Sequence, residues 1–260
     1  MSDKNLLPNT SPELTELNKE PWVTLDDGKH LSEWTHEDEV VYNQKNRQTE
    51  KYIFFRKTMD FLKDNRIEGD YYEFGCHRCR TFRMALSEAR KHCQDLMQFY
   101  AFDSFEGLPE PTSDTSVEIW TKGALSTSEE AFRAHVVEHG IYLENYHTIK
   151  GFYSDSLTND LQNKFLSKNR KASLINIDCD LYESAVPVFE FIEPLLQEGT
   201  IIYLDDQFAG YKGNPMKGVS KAFLEWQEKT KWRVVQHLQI GWWGRSYIVY
   251  SSEEEISKIL

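Results

Sequence analysis

Short apolar runs alternate with amphipathic stretches along most of this chain, and the two periods predict alternating strands and helices. Over residues 44–65 the apolar positions Tyr52, Ile53, Phe55, Met59, Phe61 and Leu62 recur at helical spacing. Beyond that helix the period shortens. Residues 70–75, 99–103 and 146–150 read as strands. Residues 172–177 and 200–204 are near-continuous Ile and Leu, as in strands of a parallel sheet buried on both faces. Helical patterns separate these runs at 81–92, 128–139, about 157–166, 185–196 and 217–228. Ser128-Glu129-Glu130 suits a helix start, because carboxylates stabilise the first turn.

Such alternation predicts an α/β fold with a doubly wound, mostly parallel sheet. The end of the chain breaks the pattern. Residues 232–239 and 246–251 both read as strands and are joined by a short connection, so this terminal pair should be antiparallel. Residues 104–124, with Pro109 and Pro111, form one long connection. At the other end, residues 1 to about 45 are polar and weakly periodic but carry Trp22, Trp34 and Tyr42, which suggests an arm that packs. The expected organisation is an N-terminal arm and helix over 1–65, then one domain over 66–260.

Composition narrows the partners. Thirty basic against 42 acidic side chains leave a formal charge of −12, a field that disfavours nucleic acid or anionic lipid as the main partner. Neither a signal peptide nor a membrane-length apolar stretch is legible, so a cytoplasmic, soluble protein is expected. Four cysteines are too few for a disulfide scaffold of this length. Cys76 and Cys79 have the spacing of half a zinc site, but no second pair follows, and reduced thiols are expected.

The chemistry concentrates at two acidic clusters. Asp178-Cys179-Asp180 and Asp205-Asp206 each close an apolar, β-branched run. Ligands of open α/β sheets bind beyond the carboxyl ends of the strands. Carboxylates gathered there repel one another unless a cation or proton holds them, and their hard oxygens suit Mg2+. Taken alone, Asp205-Asp206 also fits a solvated turn. Asp180 fits either a proton acceptor or the N-cap of the next helix.

In the first half, Gly75 closes the first strand and Asp103 the second. One glycine is too few to wrap a pyrophosphate, which disfavours a nicotinamide dinucleotide. A phosphate-free cofactor asks less of this loop. Asp103 is placed to accept ribose hydroxyls, with Ser104 and Phe105 along an adenine, although an isolated Asp here would also serve as a turn residue.

At these residues the chain resembles the macrocin O-methyltransferase (TylF) family. The similar segments are Glu73-Phe74-Gly75, Phe102-Asp103-Ser104-Phe105-Glu106-Gly107-Leu108-Pro109, Gly151-Phe152-Tyr153-Ser154-Asp155-Ser156-Leu157, Ile177-Asp178-Cys179-Asp180-Leu181-Tyr182-Glu183-Ser184 and Leu204-Asp205-Asp206. The resemblance implies a Rossmann-like class I methyltransferase fold. It also implies O-methylation of sugar hydroxyls of natural products, with S-adenosylmethionine and Mg2+ as cofactors. It places Asp178, Asp205 and Asp206 at the metal, Asp180 as general base, and Glu73, Phe74, Gly75, Cys76, Asp103, Ser104, Phe105, Ser154, Asp155 and Asp178 at the cofactor. Where the family usually has Gly-Gly, this chain has Cys79-Arg80. Tyr211, Trp242 and Trp243 are candidates for the wall of a pocket for a small hydroxyl-bearing acceptor. Self-association through the N-terminal arm is left open. The rival readings are a non-catalytic relative that binds cofactor or partner, and an NAD-dependent oxidoreductase.

Overall fold

A computed structural model describes residues 29–112 and 114–251. The strands are β1 (Asp70–Phe74), β2 (Phe99–Asp103), β3 (Tyr146–Lys150), β4 (Ala172–Ile177), β5 (Ile201–Leu204), β6 (Trp232–Ile240) and β7 (Gly244–Ser251). Among the described residues they form one sheet in the order β3-β2-β1-β4-β5-β7-β6. The first five pair in parallel, and β7 runs antiparallel to both β5 and β6. The predicted terminal pair is therefore present, with its second strand inserted beside β5.

The register sets up the site. Phe74 pairs with Phe102 on one side and Ile177 on the other, and Ile177 pairs with Leu204. Four strand ends are thus level, and Gly75, Asp103, Asp178 and Asp205 leave the sheet along one edge. Chain order reverses between β1 and β4, the place where open α/β sheets leave a crevice for ligands.

The helices are α1 (His36–Asp64), α2 (Arg80–Lys91), α3 (Glu129–His139), α4 (Tyr153–Ser156), α5 (Asn159–Leu166), α6 (Tyr182–Ile192) and α7 (Gly218–Lys229). Strand alternation divides the core in two. Tyr72, Phe74, Tyr100, Phe102, Ile175, Ile177, Ile202 and Leu204 join the apolar side of α6 and α7. Tyr71, Phe99, Ala101, Leu174, Ile201 and Tyr203 join Phe55 and Met59 of α1, Phe82 of α2 and Phe132 of α3. By the same alternation Glu73, Asp178 and Asp205 face the α1 side.

Two elements differ from the sequence expectation. Helix α6 begins at Tyr182, before the expected 185, and carries Pro187 inside it. A proline in the second turn removes one N–H donor, a modest loss so near the start of a helix whose Ala185, Val188, Phe189 and Ile192 are buried. The short α4 was not expected, because four residues are too few to show a period.

The chain divides into two compact units between Glu50 and Lys51. In the described part of the first, Lys29 pairs with Asp38 at 2.5 Å and the Trp34 and Tyr42 rings lie 5.1 Å apart. The arm's Trp22 lies outside the described residues. From Lys51 onward α1 belongs with the sheet, burying Phe54, Phe55, Thr58, Met59 and Leu62. No described helix is long and apolar enough to cross a membrane.

Candidate active site

The loop after β1 is built by close packing. Gly75 has φ +92°, and a Cβ there would lie 1.8 Å from the Asp178 carbonyl oxygen. Asp178 N–H donates to the Phe74 carbonyl at 2.8 Å, so the ends of β1 and β4 are locked together. Asp103 ties the next pair. Its Oδ2 accepts from Cys76 N–H and its Oδ1 from Phe105 N–H, each at 2.7 Å. The second bond is the turn role that the sequence left open, and the first crosses to the neighbouring loop. A carboxylate offers about four acceptor positions, so Asp103 keeps capacity for a ligand. Burial raises its pKa, against the pull of those two backbone donors.

The acidic clusters meet. Ligand oxygens of Asp178, Asp205 and Asp206 all lie within 4.8 Å of one another. Among the described residues this is the one group of three or more metal-ligating side chains; Cys76 and Cys79 are free thiols outside it. Burial first, and Asp205 second, push Asp178 well above the usual carboxylate range. Burial, then Asp180 and Asp205, do the same to Asp206. Asp205 goes the other way: burial would raise it, but the Lys51 ammonium holds it below its ordinary value. Asp206 Oδ2 is buried with no hydrogen-bond partner. Three converging hard-oxygen donors with one such oxygen fit a divalent cation such as Mg2+.

Asp180 is not a helix cap. The N-cap of α6 is Leu181, with no side-chain cap bond. Asp180 itself takes φ +59° and is buried at 8% exposure. A side chain accepts that left-handed conformation at a cost of about 1–2 kcal/mol, and here it keeps the carboxyl within hydrogen-bond reach of Asp206. Burial, then the Asp178 charge, push its pKa up to about 8.

The expected cofactor residues separate into two groups. Gly75, Cys76 N–H and Asp103 stand together at the β1 and β2 ends, with Asp178 beside them. Ser104 closes a local turn, donating to the Gly107 carbonyl at 2.7 Å. Ser154 and Asp155 are exposed on α4, after β3 on the same edge of the sheet. Three others turn inward. The Phe74 ring stacks on Phe102 at 4.5 Å, and the Phe105 ring packs on Phe132 at 5.6 Å in the core rather than along an adenine. Glu73 is fully buried, accepting from the Tyr71 hydroxyl and, at 2.7 Å, from Thr81.

The departure at Cys79-Arg80 has a local explanation. Arg78 and Cys79 have φ of +59° and +58°, the conformation that glycine favours. The chain keeps the glycine-like backbone with a small side chain, and the Cys79 thiol is fully buried in the core against the α1 side. It does not project into the cofactor crevice.

Sequence reasoning missed Lys51. Its Nζ donates to Asp205 Oδ2 at 2.7 Å and lies 3.7 Å from Asp178 Oδ2. Burial would lower its pKa, but the charges of Asp205 and Asp178 outweigh that and hold it above the ordinary lysine value. A signal was present: Lys51 heads the stripe Phe54, Phe55, Thr58, Met59, Leu62, so a charge stands in line with a buried helix face.

A cleft of about 690 Å³ is lined in part by Val117 and Ile119 of the long connection after β2, by Phe208 and Tyr211 of the segment that follows Asp205-Asp206, and by Trp242. The long connection after β2 forms one wall. Its Trp120 packs on Tyr211 at 5.3 Å, and its Asp114 pairs with Lys217 at 2.6 Å. Tyr211 lies against Gly218, whose Cβ position is also 3.5 Å from the Asp180 carbonyl. Of the three aromatics expected here, Trp243 is instead buried, at 6% exposure, in the core.

This strand order and this edge define a class I methyltransferase fold. The profile of the Macrocin-O-methyltransferase (TylF) family matches residues 48–235, and the chain belongs to that family. Among solved structures, it is similar to the O-methyltransferase NovP (TM-score 0.61, 19% identity, 76% of this chain and 79% of that one). The calicheamicin methyltransferase CalS11 is also similar (TM-score 0.59, 19% identity, 76% and 77%). At such identities these likenesses speak for the fold. A curated relative from Streptomyces olivaceus, 8-demethyl-8-(2,3-dimethoxy-alpha-L-rhamnosyl)-tetracenomycin-C 4'-O-methyltransferase, is 26% identical over 146 residues, 54% of this chain. The match spans about half the length of that relative, 53%.

Proposed function

We propose that this chain transfers a methyl group from S-adenosylmethionine to a sugar hydroxyl of a natural-product glycoside, assisted by Mg2+ or a similar divalent cation. The observation that carries this reading is the convergence of Asp178, Asp205 and Asp206 beside Asp180, at the sheet edge where the fold leaves its ligand crevice. Membership of the family supports the reaction class over a nicotinamide-dependent oxidation. The rhamnosyl group named for the Streptomyces olivaceus relative supports a sugar acceptor. Of the two residues that depart from the family pattern, Cys79 is fully buried, which weakens the case for a non-catalytic relative.

Gly75, Cys76 and Asp103 would hold the cofactor, Asp103 offering its remaining lone pairs to the ribose hydroxyls. Asp178, Asp205 and Asp206 would hold the cation. The bound groups supply an electrophilic methyl and, from the metal, charge stabilisation and orientation. The chain does the rest. Asp180, when ionised, accepts the proton of the attacking hydroxyl as the oxygen–methyl bond forms and the sulfur–methyl bond breaks. The open aromatic cleft around Phe208, Tyr211 and Trp242 would offer ring faces to the acceptor.

Rhamnosylated polyketides incubated with S-adenosylmethionine and Mg2+ should each gain one methyl by mass spectrometry. EDTA should stop turnover and Mg2+ restore it. Asp205→Asn with Asp206→Asn should abolish transfer while S-adenosylhomocysteine binding by calorimetry persists. Asp180→Asn should lower kcat by roughly 10²–10⁴-fold. Full activity under chelation overturns the metal-assisted scheme.

A further inference from the structure

Helix α1 delivers an ammonium to the same carboxylates that would hold a divalent cation. Lys51 Nζ is 2.7 Å from Asp205 Oδ2 and 3.7 Å from Asp178 Oδ2. This is not a loose surface pair, because the Lys51 side chain is 13% exposed and that of Asp205 8%. The helix beneath it is anchored. Phe54, Phe55, Thr58, Met59 and Leu62 are buried. The Phe54 ring lies 4.5 Å from that of Tyr203, whose hydroxyl donates to Asp205. The Lys51 backbone is thus fixed beside β5, while its four-carbon stem can still swing.

An ammonium in this position and a divalent ion are competitors. Hard divalent ions take carboxylate oxygens at about 2.0–2.6 Å. The three candidate ligand atoms all lie within 4.8 Å of one another, so an ion bound among them would sit within a few ångströms of Nζ, where two cations repel strongly. An ion on Asp205 Oδ2 would share that oxygen with the ammonium 2.7 Å away, and the repulsion of two cations so close disfavours holding both.

We propose that Lys51 is the resident counter-cation of the acidic cluster, bridging Asp205 and Asp178 when no divalent ion is bound and swinging off both when one enters. Metal uptake is then an exchange of one cation for another. The lysine keeps the carboxylates from flying apart in the metal-free protein and weakens metal binding in return. The proposal rests on reading the cluster as a metal site.

Mn2+ binding to the full chain, followed by the electron paramagnetic resonance of the free ion, separates the two ideas. Lys51→Met keeps the apolar stem without the charge, and Lys51→Gln offers a neutral polar tip should the first variant fold poorly. Both should bind Mn2+ tighter than wild type by about tenfold or more. Without metal both should melt at lower temperature than wild type, and both should gain more in Tm from Mn2+. Lys51→Arg, which keeps the charge, should bind Mn2+ with near wild-type affinity. Equal or weaker Mn2+ binding by the folded neutral variants overturns the exchange while the metal site stands. Absence of Mn2+ binding in wild type and variants alike overturns the metal site, and the exchange with it.

Discussion

Glu73 shows how one residue within a recognisable motif can do something other than the motif suggests. It sits at the end of β1, yet alternation turns it inward, where Tyr71 and Thr81 donate to it. Burial pushes its pKa up to about 7 from an ordinary 4.5, against the pull of those donors. The folded chain therefore holds this proton more tightly than the unfolded chain. The stabilisation it brings is complete below about pH 4.5 and is lost as pH rises through about 7. Glu73→Gln should be more stable than wild type by on the order of 2–3 kcal/mol at about pH 8, and the gain should vanish near pH 4. Urea unfolding across that range checks it, and a gain that does not depend on pH would refute it. The convergence of Asp178, Asp205 and Asp206 was legible because each cluster follows an apolar run that reads as a buried strand. The inward turn of Glu73 and Phe74 was not, since a five-residue strand does not announce which of its faces looks at the crevice, and Phe105 lies beyond β2 with a φ of +57° that a single sequence does not reveal. Lys51 escaped because its partners, Asp178 and Asp205, are more than a hundred residues away in sequence.

At the scale of elements, most strands and helices follow from period alone, and the exceptions have physical causes. Helix α6 starts early because its buried positions outweigh the proline inside it. The turn before it was ambiguous on sequence grounds, because Asp180 has the right chemistry for a cap. Its left-handed backbone points the carboxyl elsewhere, and a single sequence carries no sign of that dihedral angle. The junction of β1 with β4 is the least tolerant element boundary. Gly75 combines φ +92° with an Asp178 carbonyl at 1.8 Å from any added Cβ. Gly75→Ala should cost about 2–4 kcal/mol, from overpacking and a left-handed alanine together. It should also weaken Mn2+ binding, because relief requires the Asp178 backbone to move. A thermal melt and a metal titration on the same variant check both. A variant that melts lower with unchanged metal affinity would show that the junction does not position Asp178.

Over the whole molecule, the sheet is completed by an insertion. Strand β7 lies between β5 and β6, and among the described strands β6 pairs with β7 alone. Ending the chain after Gly241 should leave both β5 and β6 with bare edges, a known route to aggregation. The soluble fraction after expression should fall sharply, and a soluble, cooperatively melting product would show that the first five strands suffice. The order of synthesis adds a further demand. A ribosome releases β4 and β5, which carry the acidic cluster, well before it releases β7, which flanks β5. For that interval the nascent protein holds its acidic cluster on an unfinished border, and β7, made after β6, must enter the interior of the sheet rather than extend its rim.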